Sequence, residues 1–136
     1  NLRIVDFSHC GIVEMPEIIC LPNIAIVDLS NNCITAIPSC IKAMLSLQAL
    51  YLSYNDLTKL PDELFELKTL TCIHVTANKL SEIPEKINNL CNLNRFSCLR
   101  NPLKKVPDLK YIHWEDQYEI YDYYKTNTCL KDCKII

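Results

Sequence analysis

Five prolines are spaced almost evenly through this chain of 136 residues. The intervals between them are 22, 23, 23 and 23 residues, and each proline follows an apolar residue in a shared frame. The five are Pro16, Pro38, Pro61, Pro84 and Pro107. Written as one unit, the repeat reads L-x-x-L-x-x-L-x-L-x-x-N-x-L-x-x-L-P-x-x-I-x-x. A unit this short cannot bury its own apolar side chains, so the units must stack into a solenoid with a continuous core.

Each unit contains one short alternating stretch, such as "LYL" at 50–52 or "IHV" at 73–75, that predicts a strand. Stacked strands form a parallel sheet with a spacing of about 4.8 Å. An asparagine follows the strand in four units, and its amide can bond backbone groups that a tight turn would leave unpaired. These residues are Asn32, Asn55, Asn78 and Asn101, and Cys10 takes the place in the first unit. The proline fixes φ and suits the start of an irregular or short helical return segment.

This unit resembles the leucine-rich repeat superfamily, and the match extends over residues 1–109. The resemblance implies an α/β fold, a curved horseshoe segment of about five repeats with a short parallel concave sheet. The repeats align as 1–20, 21–43, 44–66, 67–89 and 90–109. The 23-residue length with "LP" is similar to the intracellular typical class, which includes Ras-pathway scaffolds and bacterial effectors. Small size and a wealth of Ile, Asn, Lys and Tyr are reminiscent of Legionella effectors, which implies a cytoplasmic location or delivery into a host cytosol.

The two ends of the repeat array predict capping segments, because a solenoid end exposes core. The first unit begins in mid-repeat at Leu2, so we expect further residues ahead of Asn1. After Leu109 the repeat stops, and Tyr118, Tyr121 and Tyr124 recur at near-helical spacing. We therefore expect residues 110–136 to form a C-terminal helical cap and tail.

Nine cysteines are scattered along the chain, and an odd, irregular set is a poor disulfide framework. The spacings of a zinc finger or ribbon are missing, and no metal site is expected. The pattern favours reduced thiols in a cytosolic compartment, several of them acting as small apolar residues.

Composition excludes several classes of function. Fourteen basic and sixteen acidic residues leave the chain without the positive excess of a nucleic-acid binder. No apolar run approaches the roughly 20 residues of a membrane span. The single glycine, Gly11, excludes glycine loops that cradle phosphates and nucleophile elbows. We expect no cofactor and no small-molecule substrate.

Side chains alternate along each strand, so those flanking the core positions face outward and define what we call the concave face. Aligning the units gives four outward columns. The first contains Ile4, Ile26, Ala49, Cys72 and Arg95, and the second contains Asp6, Asp28, Tyr51, His74 and Ser97. The third contains Ser8, Ser30, Ser53, Thr76 and Leu99, and the fourth contains His9, Asn31, Tyr54, Ala77 and Arg100. All of these are candidate partner-binding residues except Ser8, Ser30, Ser53, Thr76 and Ala77.

The first column predicts a contiguous exposed apolar stripe that ends in a cation, although Ile4 and Ile26 could instead pack on a preceding segment. Tyr51 and Tyr54 lie at the centre of the concave face, where aromatic anchors are typical of protein interfaces. Arg95 lies near one end, where it could pair with carboxylates. The acidic residues of the first two units lie near the other end and could steer a basic partner. We therefore expect another protein to bind this face.

Cys72 and His74 could also be read as a nucleophile and its base or as two metal ligands. The solenoid imposes their spacing, however, because they occupy neighbouring outward columns on either side of the buried Ile73. No third group is placed to orient the imidazole. We expect no catalytic residue and interpret both as contact residues.

Three classes of function remain open. The first is a non-enzymatic interaction module, which in an effector setting could inhibit another effector or a host enzyme by occluding its active site. The second is the substrate-recognition domain of a larger enzyme, such as a bacterial ubiquitin ligase. The third is an enzyme acting through Cys72 and His74. The first is the prediction, while adaptor, scaffold and inhibitor roles stay open.

Overall fold

A computed structural model of the chain describes residues 2–109. Five three-residue strands form one parallel sheet in the order β1-β2-β3-β4-β5. The strands are β1 (Ile4–Asp6), β2 (Ile26–Asp28), β3 (Ala49–Tyr51), β4 (Cys72–His74) and β5 (Arg95–Ser97). The predicted solenoid of about five repeats is confirmed, with one strand from each repeat.

Short 3₁₀ helices form the return segments opposite the sheet: η1 (Glu17–Ile19), η2 (Ser39–Ala43), η3 (Asp62–Glu66) and η4 (Glu85–Asn89). A proline immediately precedes each one, with φ between −64° and −74°. This is the angle that the pyrrolidine ring enforces, so the repeated proline sets where each return segment begins. The predicted α/β class implies helices as well as strands, and within residues 2–109 all the helices are 3₁₀ helices.

The core lies between the sheet and the 3₁₀ helices. The middle residue of every strand points into it, and Val27, Leu50, Ile73 and Phe96 are completely buried. Phe96 has an aromatic ring at a place where the four earlier repeats have an aliphatic residue. Each repeat adds one layer of side chains at matching positions, so the core is continuous from one repeat to the next.

An asparagine ladder joins neighbouring repeats on the side where the strands end. Asn55 is only 7% exposed, and its Oδ1 accepts a hydrogen bond from the Ile34 N–H of the preceding repeat at 2.9 Å. Its Nδ2 donates to the Leu29 and Leu52 carbonyls at 2.9 and 3.1 Å. Equivalent bonds involve Asn32, Asn78 and Asn101. The predicted role of this asparagine is confirmed, since each amide pairs buried groups from two repeats.

A disulfide between Cys20 and Cys40 links the first two return segments, with their Cα atoms 5.9 Å apart. Cys20 directly follows η1 and Cys40 lies within η2. The expectation that the cysteines are reduced is wrong for this pair. The two residues occupy different places in their repeats, four and two residues after the proline, so aligned columns do not reveal their proximity.

The first repeat leaves apolar side chains exposed that later repeats bury. Leu2 is 63% exposed, whereas its counterparts Ile24, Leu47, Leu70 and Leu93 are at most 1% exposed. The predicted C-terminal helical cap at 110–136 lies outside the described residues. None of the helices within residues 2–109 is long or apolar enough to cross a membrane.

Candidate functional site

The concave face is ordered by strand register. Ile4, Ile26, Ala49, Cys72 and Arg95 are successive partners across the five strands. Asp6, Asp28, Tyr51, His74 and Ser97 form the next such row. The first two predicted columns are therefore rows of neighbouring side chains, because parallel pairing in register places equivalent residues one strand spacing apart.

The first row is exposed only toward its ends. Ile4 is 58% exposed and Ile26 is half-buried, but Ala49 and Cys72 are only 8% and 5% exposed. The prediction of a contiguous exposed apolar stripe is therefore wrong. Burial raises the pKa of Tyr51, and the neighbouring Cys72 raises it further.

An aromatic pair forms the centre of the concave face. The Tyr51 and His74 rings meet edge to face, with centroids 5.1 Å apart and planes at 87°. Both side chains are half-buried, so each keeps an edge toward solvent. Edge-to-face packing is one of the preferred arrangements of neighbouring rings. The centre of the face is thus a packed aromatic surface.

Burial sets the ionisation of this cluster. Burial lowers the pKa of His74, and the positive charge of Arg95 lowers it further. Burial also raises the pKa of the Cys72 thiol. A buried thiol and imidazole both favour the neutral form, so the centre of the face is uncharged near neutral pH.

The rim of the face has an unusual backbone. His9, Asn31, Tyr54, Ala77 and Arg100 all have φ between 54° and 58°. This left-handed conformation is unfavourable for a side chain with a Cβ, by about 1 kcal/mol or more, yet it recurs in every repeat. Each of these residues directly precedes the ladder position, so the turn that buries the asparagine places its neighbour on the rim.

Two rim side chains meet across an intervening repeat. Arg100 Nη1 lies 3.4 Å from the Tyr54 hydroxyl oxygen, and Ala77 is the rim residue of the repeat between them. Tyr54 remains 49% exposed despite this contact. The pair therefore presents an aromatic ring and a cation together at one edge of the face.

At the acidic end of the face, serine residues orient the aspartate carboxylates through hydrogen bonds. Asp6 Oδ1 accepts hydrogen bonds from the Ser8 backbone N–H at 2.9 Å and from the Ser8 hydroxyl at 2.7 Å. These bonds lower the pKa of Asp6. In the next repeat Asp28 Oδ1 accepts from the Ser30 N–H at 2.8 Å. Both carboxylates are thus oriented by the residue two places further along the chain.

The third column contributes small polar groups at the other end. The Thr76 and Ser97 hydroxyl oxygens lie 2.6 Å apart and share a hydrogen bond between β5 and the neighbouring repeat. Leu99 is half-buried and so offers less apolar surface than its position suggested. The candidate contact residues are thus gathered on one face, with unequal access to solvent.

The neutral state of Cys72 argues against its use as a nucleophile, which requires a lowered pKa and access to solvent. His74 packs against Tyr51, which leaves it oriented by an aromatic ring instead of by a carboxylate. No group of three or more potential metal-ligating side chains occurs within the described residues.

The alignment of repeats could not reveal the left-handed rim or the Tyr54–Arg100 contact. The asparagine after each rim residue indicates a tight turn but does not identify the type of turn. The contact joins side chains that are two repeats apart. Sequence reasoning therefore identified the face and missed how its rim is organised.

Comparisons with known proteins support the repeat fold. The leucine-rich repeat family matches residues 46–67. The chain is similar to a leucine-rich-repeat protein of Leptospira interrogans, with 27% identity and a TM-score of 0.76. That similarity covers 100% of this chain and 37% of the Leptospira chain. The leucine-rich-repeat character expected from the sequence is confirmed at the level of the fold.

Two plant receptors are similar over most of the chain. One is the ectodomain of the Arabidopsis thaliana receptor kinase GASSHO1/SCHENGEN3, solved in complex with CASPARIAN STRIP INTEGRITY FACTOR 2. It shares 26% identity at a TM-score of 0.66, over 74% of this chain and 13% of its own. The other is the plant peptide hormone receptor RGFR1 in complex with RGF2, with 28% identity, a TM-score of 0.60 and coverages of 72% and 18%. No curated protein matches the chain in sequence.

Proposed function

We propose that the chain is a protein-interaction module that binds a partner protein through its concave face. The observation that carries this proposal is the packed aromatic centre, formed by Tyr51 and His74, beside the exposed ring of Tyr54. Partly exposed aromatic residues are enriched at the centres of protein interfaces, where they combine large area with a polar tip.

The surroundings of this centre suit the same role. Ile4 adds exposed apolar area, and Asp28 and Arg95 carry charge of opposite sign on either side. An apolar and aromatic middle with charged groups around it is the usual anatomy of a specific interface. The similar plant receptors, solved with CASPARIAN STRIP INTEGRITY FACTOR 2 and RGF2, support a binding role for this fold.

The mechanism is recognition without chemistry on the partner. The half-buried imidazole of His74 supplies a contact beside Tyr51, whereas Cys72 is only 5% exposed and offers a partner neither a nucleophile nor much contact area. Inhibition of an effector or host enzyme by occlusion, substrate recognition for a ubiquitin ligase, and a cytosolic site of action stay predictions. Identification of the partner distinguishes among them.

A pull-down with the tagged chain tests the proposal. The bait is wild type or the Tyr51→Ala/Tyr54→Ala double variant, and recovered proteins are identified by mass spectrometry and then titrated in purified form. Removing two central anchors should weaken binding by more than about 2 kcal/mol, roughly thirtyfold. Full affinity in the double variant would refute the assignment of this face.

The matched control removes exposed apolar area elsewhere. Leu45 is 66% exposed just after η2, on the side opposite the sheet. Leu45→Ala should leave partner affinity unchanged. Thermal unfolding of all three proteins establishes that a loss of binding does not reflect a loss of fold.

A further inference from the structure

The charges of the concave face are separated along the direction in which the strands stack. Asp6 and Asp28 are register partners on β1 and β2. Arg95 lies on β5, and Arg100 lies on the rim of the same repeat. Between the two groups lie the uncharged Ala49, Tyr51, Cys72 and His74. The face therefore has an acidic end, an aromatic middle and a basic end.

These charges are too far apart to neutralise one another directly. Asp28 and Arg95 are three strand spacings apart, about 14 Å, and β1 and β5 are four spacings apart, about 19 Å. The ion pairs found within residues 2–109 lie elsewhere, between Lys79 and Asp56 and between Lys86 and Asp62. The charges on the face are thus left for a partner to pair with.

Both ends are positioned before any partner arrives. The carboxylates are oriented by hydrogen bonds from the serine residues that follow them, through Oδ1 in each case. Arg100 is held beside the Tyr54 hydroxyl. Orientation of this kind reduces the side-chain entropy that binding would otherwise cost.

Building on the proposed binding function, we infer that the partner presents an extended segment that crosses the strands, with a cationic side chain over Asp6 and Asp28 and a carboxylate over Arg95 and Arg100. An extended chain advances about 3.3–3.6 Å per residue, so the two charges are about four to six residues apart. An apolar or aromatic side chain between them packs on Tyr51 and His74. The segment contacts the face through side chains, since it runs across the strands and not beside them.

Blocked octapeptides displayed as a library provide the probe. Wild-type chain should enrich peptides with Lys or Arg toward one end and Asp or Glu toward the other, separated by about four to six positions. A second library with free C-termini distinguishes the source of the carboxylate. Enrichment of an acidic side chain in both libraries indicates a side-chain carboxylate, and loss of that preference in the second indicates the chain terminus.

Charge reversal tests each end separately. Asp6→Lys/Asp28→Lys should reduce the enrichment of basic residues by about tenfold, because a cationic side chain of the peptide would then face like charge in place of opposite charge. The preference for a carboxylate should persist. Arg95→Glu/Arg100→Glu should produce the opposite pattern.

Matched controls alter the same net charge away from the face. Glu66 and Glu85 are exposed residues of η3 and η4, so Glu66→Lys/Glu85→Lys controls for the acidic pair. Lys42 and Lys59 are exposed outside the strands, so Lys42→Glu/Lys59→Glu controls for the arginines. Each control should retain the wild-type peptide preference.

Peptides enriched without charge preference, or no enrichment at all, would overturn the inference. An equal effect of the control variants would also overturn it, because the preference would then follow net charge alone. Neither result decides the proposed function. The Tyr51→Ala/Tyr54→Ala pull-down reports separately whether a folded partner uses this face.

Discussion

Arg100 reaches across an entire repeat to bring its guanidinium within 3.4 Å of the Tyr54 hydroxyl oxygen. Ala77 is the corresponding rim residue of the repeat between them. All three residues adopt the left-handed backbone of the rim. The rim therefore combines an unfavourable local conformation with a contact that reaches two repeats along the solenoid.

Ala77→Gly should raise the free energy of unfolding by about 0.5–1 kcal/mol. Glycine removes the steric cost of positive φ, which is about 1–2 kcal/mol, and loses part of this gain to its greater freedom in the unfolded chain. Urea unfolding measures the change. Ala43, in η2, lacks positive φ, and Ala43→Gly should be destabilising by about 0.5–1 kcal/mol. Destabilisation of similar size at both positions would contradict the importance of rim strain.

Asn55→Ala should reduce the free energy of unfolding by about 1–3 kcal/mol. The change leaves the buried Ile34 N–H unpaired, which costs about this much, whereas the Leu29 and Leu52 carbonyls keep hydrogen bonds from Asn32 and Asn78. Chemical denaturation gives the value. Asn23→Ala, at an exposed asparagine, is the control and should change stability by no more than about 0.5 kcal/mol. Equal effects would show that the ladder adds little.

Cys20→Ser/Cys40→Ser should cost about 3 kcal/mol of stability without reductant, because the disulfide closes a loop with a sequence separation of 20. Addition of reductant should bring wild type close to the double variant. The exposed Cys33 provides the control, and Cys33→Ser should have little effect under either condition. Non-reducing peptide mapping without a linked Cys20–Cys40 peptide would contradict the pairing.

Stability should fall as the pH drops below about 6.5, in part because of His74. Burial and Arg95 lower the pKa of His74 in the folded chain, so the unfolded chain binds more protons in that range. Stability rises with pH wherever the unfolded state binds more protons. Urea unfolding at pH 7.5 and 5.5 should show a larger loss for wild type than for His74→Gln.

An NMR titration tests the cause of this shift. Arg95→Gln removes the positive charge and should raise the pKa of His74, with the resonance assigned by its disappearance in His74→Gln. Burial should still hold the pKa below its ordinary value, since burial is the larger of the two causes. An unchanged pKa in Arg95→Gln would remove Arg95 from the explanation.

The sequence determined the layout of the concave face because its repeat length fixes strand register. Cys72 and His74 align with Ala49 and Tyr51, and the same alignment gives their true neighbours across the strands. Exposure could not be deduced in the same way. Ala49 and Cys72 are buried by surrounding side chains, and packing between repeats is not encoded in the position of a residue within its own repeat.

The disulfide shows a second limit. Cys20 and Cys40 occupy places that differ by two residues relative to the prolines, so they never share an aligned column. Their proximity arises from the path of the return segments in three dimensions. Features that repeat were therefore predictable, whereas features that depend on differences between repeats needed the structure.

The asparagine ladder gives the solenoid a direction. The Oδ1 of each ladder asparagine accepts a hydrogen bond from a backbone N–H of the repeat before it, as Asn55 does from Ile34, 21 residues earlier. During synthesis from the N-terminus, that N–H leaves the ribosome well ahead of the amide that will receive it. The turn of each repeat therefore gains its asparagine hydrogen bond only after the next repeat has been synthesised, as Ile34 does from Asn55.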